Sequence, residues 1–265
     1  MTTALSSLRP GDAGYPQRLR ALGIEQVLHV RGQLCEGPAV AIVGARAATT
    51  KAMGRAHTWA KHVVARGVQV VSGGALGIDA AAHRGALAGA GTTTVVLGSG
   101  VDVLYPARHA GLFHQILASD GALVSTFPHG MQPRPGTFTQ RNTIISALAD
   151  AVIVVEADVK SGSLSTAAAA RKQGRIVAAY PGSPGCAKLL ATGAALVETD
   201  EDVVELLAGR PRYPAPLVLD DNATRVRDAL AQGVRGVDAI VRHTGLSVRA
   251  VLRALPQLES LARLQ

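Results

Sequence analysis

Aromatic side chains are scarce in this sequence: three Phe, four Tyr and one Trp among 265 residues. Yet 48% of the residues are apolar, so the core must be built from Ala, Val, Leu and Ile. Small aliphatic side chains suit helices packed tightly on a parallel sheet, which points to an α/β architecture. Cysteine is nearly absent as well. Cys35 and Cys186 are too few and too far apart for a disulfide framework or a Cys-rich metal site, so two buried thiols in a reducing compartment are expected. No uninterrupted apolar run is long enough to span a bilayer, and Met1 to Pro10 has no apolar stretch of signal-peptide length. These absences predict a cytoplasmic protein with no membrane partner.

What the sequence does have is basic charge, +8 at neutral pH. Clustered Lys and Arg attract phosphates and release counterions on binding, so a polyanionic partner fits. The excess is spread along the chain, with eight Arg against five acids in residues 211–265 and the rest before them. A solvated basic surface is therefore as good a reading of the charge as a binding face until motifs are considered.

Apolar runs alternate with helical patterns. Strands are predicted at 39–43, 68–71, 93–97, 122–125, 151–155, 176–180 and 194–197. Helices are predicted from Thr49 or Thr50 to a stop at Gly67, then over 79–88, 109–118, 140–148, 163–172 and 201–207. Residues 126–137, with three prolines and two glycines, read as a long loop. Alternation of this kind implies βαβ crossovers, hence a Rossmann-like, doubly wound parallel sheet whose ligands sit at the carboxyl ends of the strands. Residues 1–36 read as an extension laid on that core, with a short helix and an edge strand at Val27 to Val30. The core domain spans 37–210, and a proline-marked linker covers 211–219. Residues 220–265 hold three short helices with a helix-turn-helix signature at His243-Thr244-Gly245-Leu246-Ser247. That piece either contacts DNA or serves as a packing or dimer module.

The strand ends carry the chemistry. Val43-Gly44-Ala45-Arg46 has one glycine of the G-x-G-x-x-G fingerprint, which argues against NAD. It offers instead a close backbone approach at Gly44, the Arg46 cation and a helix N-terminus behind them. Ser72-Gly73-Gly74-Ala75-Leu76-Gly77-Ile78-Asp79 has the glycines of a phosphate-binding nest but no Lys-Ser/Thr ending of a triphosphate loop. Asp79 and His83 share a helix face, either as an acid/base pair or as a cap and a buried hydrogen-bonding group.

The long loop brings Arg134, Phe138, Arg141 and Asn142 together. A ring flanked by arginines suits single-stranded nucleic acid, since a stacked base contributes about 1–3 kcal/mol and guanidinium groups hold phosphates. The other reading of Phe138 is a plug that pins the loop to the core. Ser161, Gly162, Ser163 and Thr166 open a helix after the strand ending in Glu156 and form a second anion-binding turn. There is no nucleophile elbow and no metal-ligand cluster, so neither an enzyme nor a cofactor is expected.

In order along the chain, Val43 to Arg46, Ser72 to Asp79 with His83 and Gly85, Gly98-Ser99-Gly100, Tyr105-Pro106, Phe138 with Arg141-Asn142, Glu156-Ala157 with the Ser161 turn, Pro181-Gly182 and Gly193-Ala194 match one family pattern. Over roughly residues 15–208 the chain resembles the DNA-processing protein A (DprA/Smf) family. The resemblance implies an extended Rossmann fold whose pocket binds single-stranded DNA, homodimerisation, and loading of the RecA recombinase on incoming DNA during natural transformation. It implies a winged helix, shortened here, over 220–265, and gives the DNA-contact role to Arg46, Phe138, Arg141, Asn142 and the Ser161 turn. Three positions depart from the pattern: Leu76 and Thr143 stand where the family has Arg, and Thr126 follows Ser125 where it has Glu. Losing two phosphate contacts flattens the salt dependence by about 0.7 in log–log slope for each.

A competing resemblance is to lysine-decarboxylase-like (LOG) nucleotide phosphoribohydrolases, which pair such a glycine turn with a Gly-Gly-x-Gly-Thr loop and a following Glu. Here the corresponding stretch is Pro135-Gly136-Thr137-Phe138-Thr139, with no acid near it in the sequence. A third reading is a dimer module whose cleft binds nothing.

Overall fold

The computed structural model describes residues 5–214 and 220–262. Residues 215–219 of the expected linker lie outside the described residues. The chain divides into two compact units between Tyr213 and Pro214.

In the larger unit nine strands form one sheet: β1 (Leu5–Leu8), β2 (Leu28–Gly32), β3 (Ala39–Val43), β4 (Gln69–Gly73), β5 (Thr93–Val96), β6 (Ala122–Ser125), β7 (Ala151–Val154), β8 (Ile176–Ala179) and β9 (Ala195–Leu196). Their order is β1-β2-β6-β5-β4-β3-β7-β8-β9. From β6 to β9 every pairing is parallel, while β1 and β2 join the β6 edge antiparallel, with Val30 opposite Val124. The winding reverses between β3 and β7. From β3 the chain steps outward through β4, β5 and β6, then returns to β7 and steps outward the other way, leaving a crevice at the shared ends of β3 and β7.

Period-two alternation decides what covers each face. Ala41, Val43, Val152, Val154, Val177 and Ala179 point to a layer that includes α5 (Thr137–Ala147), α6 (Ser163–Lys172) and α7 (Pro184–Ala191). Val40, Ile42, Val70, Ile153 and Ala178 point the opposite way, to α2 (Thr50–Val64), α3 (Ile78–Ala88) and α8 (Asp200–Leu207). On that side α4 (Ala110–Ala118) covers Val95 and Leu123 through Phe113 and Ile116. Because β3 and β7 are buried on both faces, truncating Ile42 or Ile153 to Ala would cost about 2–5 kcal/mol.

The N-terminal extension is fastened by polar contacts as well as packing. The Tyr15 hydroxyl, on a ring 1% exposed, lies 2.8 Å from Ile24 O and 2.9 Å from Gln26 O. From α1 (Gln17–Ala21), Arg18 makes a bidentate pair with Asp150 at 2.9 and 2.6 Å. Asp150 also accepts from Ala39 N, so one carboxylate ties the extension to the starts of β3 and β7.

Several boundaries differ from the sequence expectation. The loop after β6 ends sooner: α5 begins at Thr137, because Thr137 Oγ1 accepts from Arg134 N and donates to Arg134 O and so closes the first turn. Helix α7 was not expected. Its Pro184-Gly185 start reads as a breaker in sequence, whereas proline suits the first helical turn, which needs no N–H there. Cys186 is buried as expected, but Cys35 is exposed.

The smaller unit has α9 (Asp221–Ala231), α10 (Val237–Thr244) and α11 (Val248–Ala262) around Val226, Ile240, Val251 and Ala254. The turn between α10 and α11 has Gly245 left-handed at φ +68° and Ser247 accepting from Ala250 N. No described helix is long and apolar enough to cross a membrane.

Candidate nucleic-acid interface

At the end of β3 the chain turns sharply against its neighbours. A Cβ on Gly44 would lie 2.6 Å from Ile78 and 2.9 Å from Glu156 O, so only glycine lets this turn rest on β7 and α3. Ala45 N donates to Glu156 O (2.8 Å), and Ile78 N donates to Ala45 O (3.2 Å). The Glu156 carboxylate accepts from Thr49 N and Thr49 Oγ1, and Thr49 in turn caps α2 by accepting from Ala52 N. This network holds Arg46 out over the crevice, exposed, with its guanidinium 5.2 Å from the centre of the Phe138 ring.

Phe138 stands in the first turn of α5 rather than in a free loop. It is half-buried. One edge rests on Gly98, where a Cβ would come within 2.8 Å of the ring, and Tyr105 lies 5.8 Å away between centroids. The ring is neither swallowed by the core nor free. Glycine at 98 lets it seat, and its remaining surface borders a cavity of about 480 Å³ at the switch point.

That cavity brings together Gly44, Arg46, Phe138, Arg141, Asn142, Ser161, Gly162, Ser163 and Thr166 of the expected set. It adds Asp79, Asp158 and Lys160, which were not among the expected contact residues; Lys160 was visible as the cation opening the Ser161 turn. Gly74 borders a second, smaller cavity beyond Phe138. Ser72, Gly73 and Arg134 border neither.

The glycine turn after β4 does not act as a free nest. Gly73 and Gly74 are buried: a Cβ on Gly73 would meet the Arg141 guanidinium and the Asp79 carboxylate, and one on Gly74 would meet Phe113 and Tyr105 O. Their small size makes room for protein atoms. Ser72 is fully buried and donates to Ile42 O at 2.6 Å. Asp79 does not cap α3; the cap position is Gly77 at φ +74°, which clears Ala45 O and Arg46 O. Asp79 accepts instead from Ala75 N (3.3 Å), and burial raises its carboxyl pKa against the opposing pull of Arg141.

Arg141 is 4% exposed and donates to Val96 O at 2.8 Å, so it does not flank the ring at the surface as the sequence suggested. Burial lowers its pKa while Asp79 opposes the shift, and its Nε has no hydrogen-bond partner among the described residues. It forms the floor of the cavity. Arg134 is exposed, and its backbone N–H and carbonyl bond the Thr137 hydroxyl at the start of α5.

Across the crevice Ser161 and Ser163 share a hydrogen bond between hydroxyls at 2.7 Å at the start of α6. Asn142 does not reach outward; its Nδ2 donates to Gly162 O (3.1 Å) and Ser165 Oγ (2.7 Å), bracing this turn against α5. His83 is fully buried, with Nε2 donating to Gly73 O at 3.0 Å and Nδ1 2.8 Å from Thr93 Oγ1, and burial pushes its pKa down to about 4. Asp79 and His83 are thus structural, each turned to different partners. Among the described residues no His, Cys, Asp and Glu cluster could hold a metal.

Comparison with known proteins converges on one family. Residues 6–208 match the family model for DNA recombination-mediator protein A, and residues 210–259 match the DprA winged helix domain. A Mycobacterium tuberculosis relative named for DNA processing (DprA) is 44% identical over 236 residues, covering 83% of this chain and 60% of its own length. Protein Smf of Escherichia coli K12 is 40% identical over 210 residues, covering 76% and 56%. The chain therefore spans somewhat over half the length of these curated relatives. Among solved structures, DNA processing protein A of Streptococcus pneumoniae superposes with a TM-score of 0.70 at 36% identity, covering 77% of this chain and 74% of that one. The Helicobacter pylori protein, described for its single-stranded DNA binding mode, gives 0.69 at 28% identity, covering 79% and 98%. With three quarters of the chain inside one family model and a Rossmann-like sheet that superposes on two of its structures, the chain belongs to the DNA recombination-mediator protein A (DprA) family.

Proposed function

We propose that the crevice between β3 and β7 grips single-stranded DNA. The protein then protects incoming DNA and loads the RecA recombinase on it, acting as a homodimer in the cytoplasm and catalysing no reaction. The observation that carries this reading is the half-buried Phe138 ring, capped by the Arg46 guanidinium at 5.2 Å on the edge of a 480 Å³ cavity. A base slides onto such a ring whatever its identity, because every base has a π-face, and the adjacent cation takes the phosphate. Lys160 and the α6 N-terminus with Ser161 and Ser163 receive the next phosphate across the crevice. The Helicobacter pylori relative, described for its single-stranded DNA binding mode, supports the same ligand class.

Nucleotide hydrolysis is a weaker reading of the same crevice. Of the nearby carboxylates, Asp79 is buried beside Arg141 and accepts from Ala75 N, Glu156 accepts from Thr49, and the exposed Asp158 accepts from Val159 N, and among the described residues no histidine borders the cavity to pair with any of them.

Fluorescence anisotropy with labelled oligothymidylate tests the proposal. Arg46→Ala and Phe138→Ala, checked for native circular dichroism, are each expected to weaken binding about tenfold, roughly 1.4 kcal/mol of the 1–3 kcal/mol that a stacked base contributes. The same variants should lower RecA filament formation on strands coated with a single-strand-binding protein. Parent-like affinity in both folded variants would remove the crevice from consideration.

A further inference from the structure

A cavity of about 750 Å³, larger than the one in the crevice, opens at the other end of the sheet, where β4 and β5 begin. The length of β3, roughly 17 Å, separates it from the crevice, and the single-stranded DNA reading makes no use of it. Helix α1 and residues 34–38 wall it from the side of the N-terminal extension.

Its sheet wall breaks the apolar pattern of the strands. Val71 and Val96 belong to the core layer on this face, as expected of strands buried on both sides. Two residues earlier on the same face stand Gln69 and Thr94, 7% and 2% exposed. Buried amides and hydroxyls need hydrogen-bond partners, and these two have them: Gln69 Nε2 donates to Cys35 O (2.7 Å), and Gln69 Oε1 accepts from Thr94 Oγ1 (3.3 Å). One amide hydrogen and one lone pair of Gln69 remain unused, on a side chain that lines the cavity.

The charged residues around this space are unequally engaged. Arg18 and Asp150 form their bidentate pair, with Ala39 N as a further donor to the carboxylate. Glu36 is exposed. Arg175 is half-buried, and although its charge reaches Asp150, it forms no ion pair among the described residues. Its guanidinium makes one long hydrogen bond there, Nη2 to Ala147 O at 3.4 Å, and its Nε makes none. An underused cation and an underused amide thus share a cavity with the apolar Leu34, Val71 and Leu148.

We propose that this cavity binds a small organic monocarboxylate, its carboxylate on Arg175 and the spare amide hydrogen of Gln69, its hydrocarbon body against Leu34, Val71 and Leu148. The volume falls within the range of small-molecule sites, about 300–1,000 Å³. One uncommitted guanidinium matches one negative charge, whereas a phosphate dianion would bring excess charge beside Asp150 and Glu36.

Amide chemical-shift titration of the full chain with sodium hexanoate tests this, with hexanol and inorganic phosphate as companions. Hexanoate should shift the amides of Gln69, Thr94, Leu148 and Arg175 saturably, and hexanol, which lacks the charge, should bind about tenfold more weakly. Arg175→Met keeps the apolar stem and should reduce hexanoate to the level of hexanol. Ala21→Phe, at an exposed position on the cavity wall, should weaken both ligands. Parent-like hexanoate binding in Arg175→Met or in Ala21→Phe would overturn the site. So would hexanol or phosphate binding as tightly as hexanoate, shifts confined to other parts of the chain, or no saturable shift at all.

Discussion

His83 shows how a side chain that looks chemical can be structural. Its imidazole is enclosed, and the lowered pKa, about 4 against an ordinary 6.5, follows first from burial, which disfavours the charged form, with the Gly73 carbonyl pulling the other way. Between those values the unfolded chain binds a proton that the folded chain refuses, so stability is complete above about 6.5 and falls as pH drops towards 4. The full span corresponds to roughly 3 kcal/mol. Urea melts across this range should show that loss in the parent and a flatter profile in His83→Gln, which cannot titrate. An unchanged slope in the variant would mean that other groups set the acid sensitivity. The consequence reaches the site, because His83 holds the Gly73 carbonyl at the end of β4, directly above the Arg141 floor.

Elements carry their information unevenly. The parallel strands were legible because runs such as Ala39 to Val43 and Ala151 to Val154 are apolar throughout, as strands buried on both faces must be. The Arg46 turn and the Ser161 turn were legible because glycine and hydroxyl residues at strand ends have local geometric reasons. The directions of Arg141 and Asn142 were not. Both follow from how α5 packs, Arg141 reaching Val96 O of β5 and Asn142 reaching the first turn of α6, and no local pattern encodes a partner 45 or 20 residues away. Tyr105 was visible only as part of a motif, since its nearness to Phe138 depends on the sheet. The α5–α6 brace has its own consequence. Asn142→Ala removes two hydrogen bonds from a side chain 8% exposed, so stability should fall by about 1–2 kcal/mol. Amide exchange at Ser161 to Ser165 should quicken, and oligonucleotide affinity should fall with it. Loss of stability with unchanged affinity would show that the α6 turn does not contact the strand.

At the scale of the whole molecule, the proposed function requires only some of the 27 basic residues to face a strand. Net charge draws a polyanion towards the surface, but the salt slope counts only the phosphates neutralised on contact. In the crevice the exposed cations are Arg46 and Lys160, because Arg141 is buried beside Asp79. Two contacts correspond to a log–log slope of about 1.4 for a single strand. The two positions where the resemblance implies Arg now separate. Leu76 is half-buried and borders the smaller cavity beside Arg46, whereas Thr143 is exposed on α5 and borders neither cavity. Leu76→Arg should therefore tighten binding and steepen the slope by about 0.7, and Thr143→Arg should leave the slope close to that of the parent. Anisotropy titrations at several salt concentrations distinguish the two variants directly. A steeper slope for Thr143→Arg alone would put the path of the strand along α5 instead of through the switch point, and the assignment of Arg46 and Phe138 would fail with it.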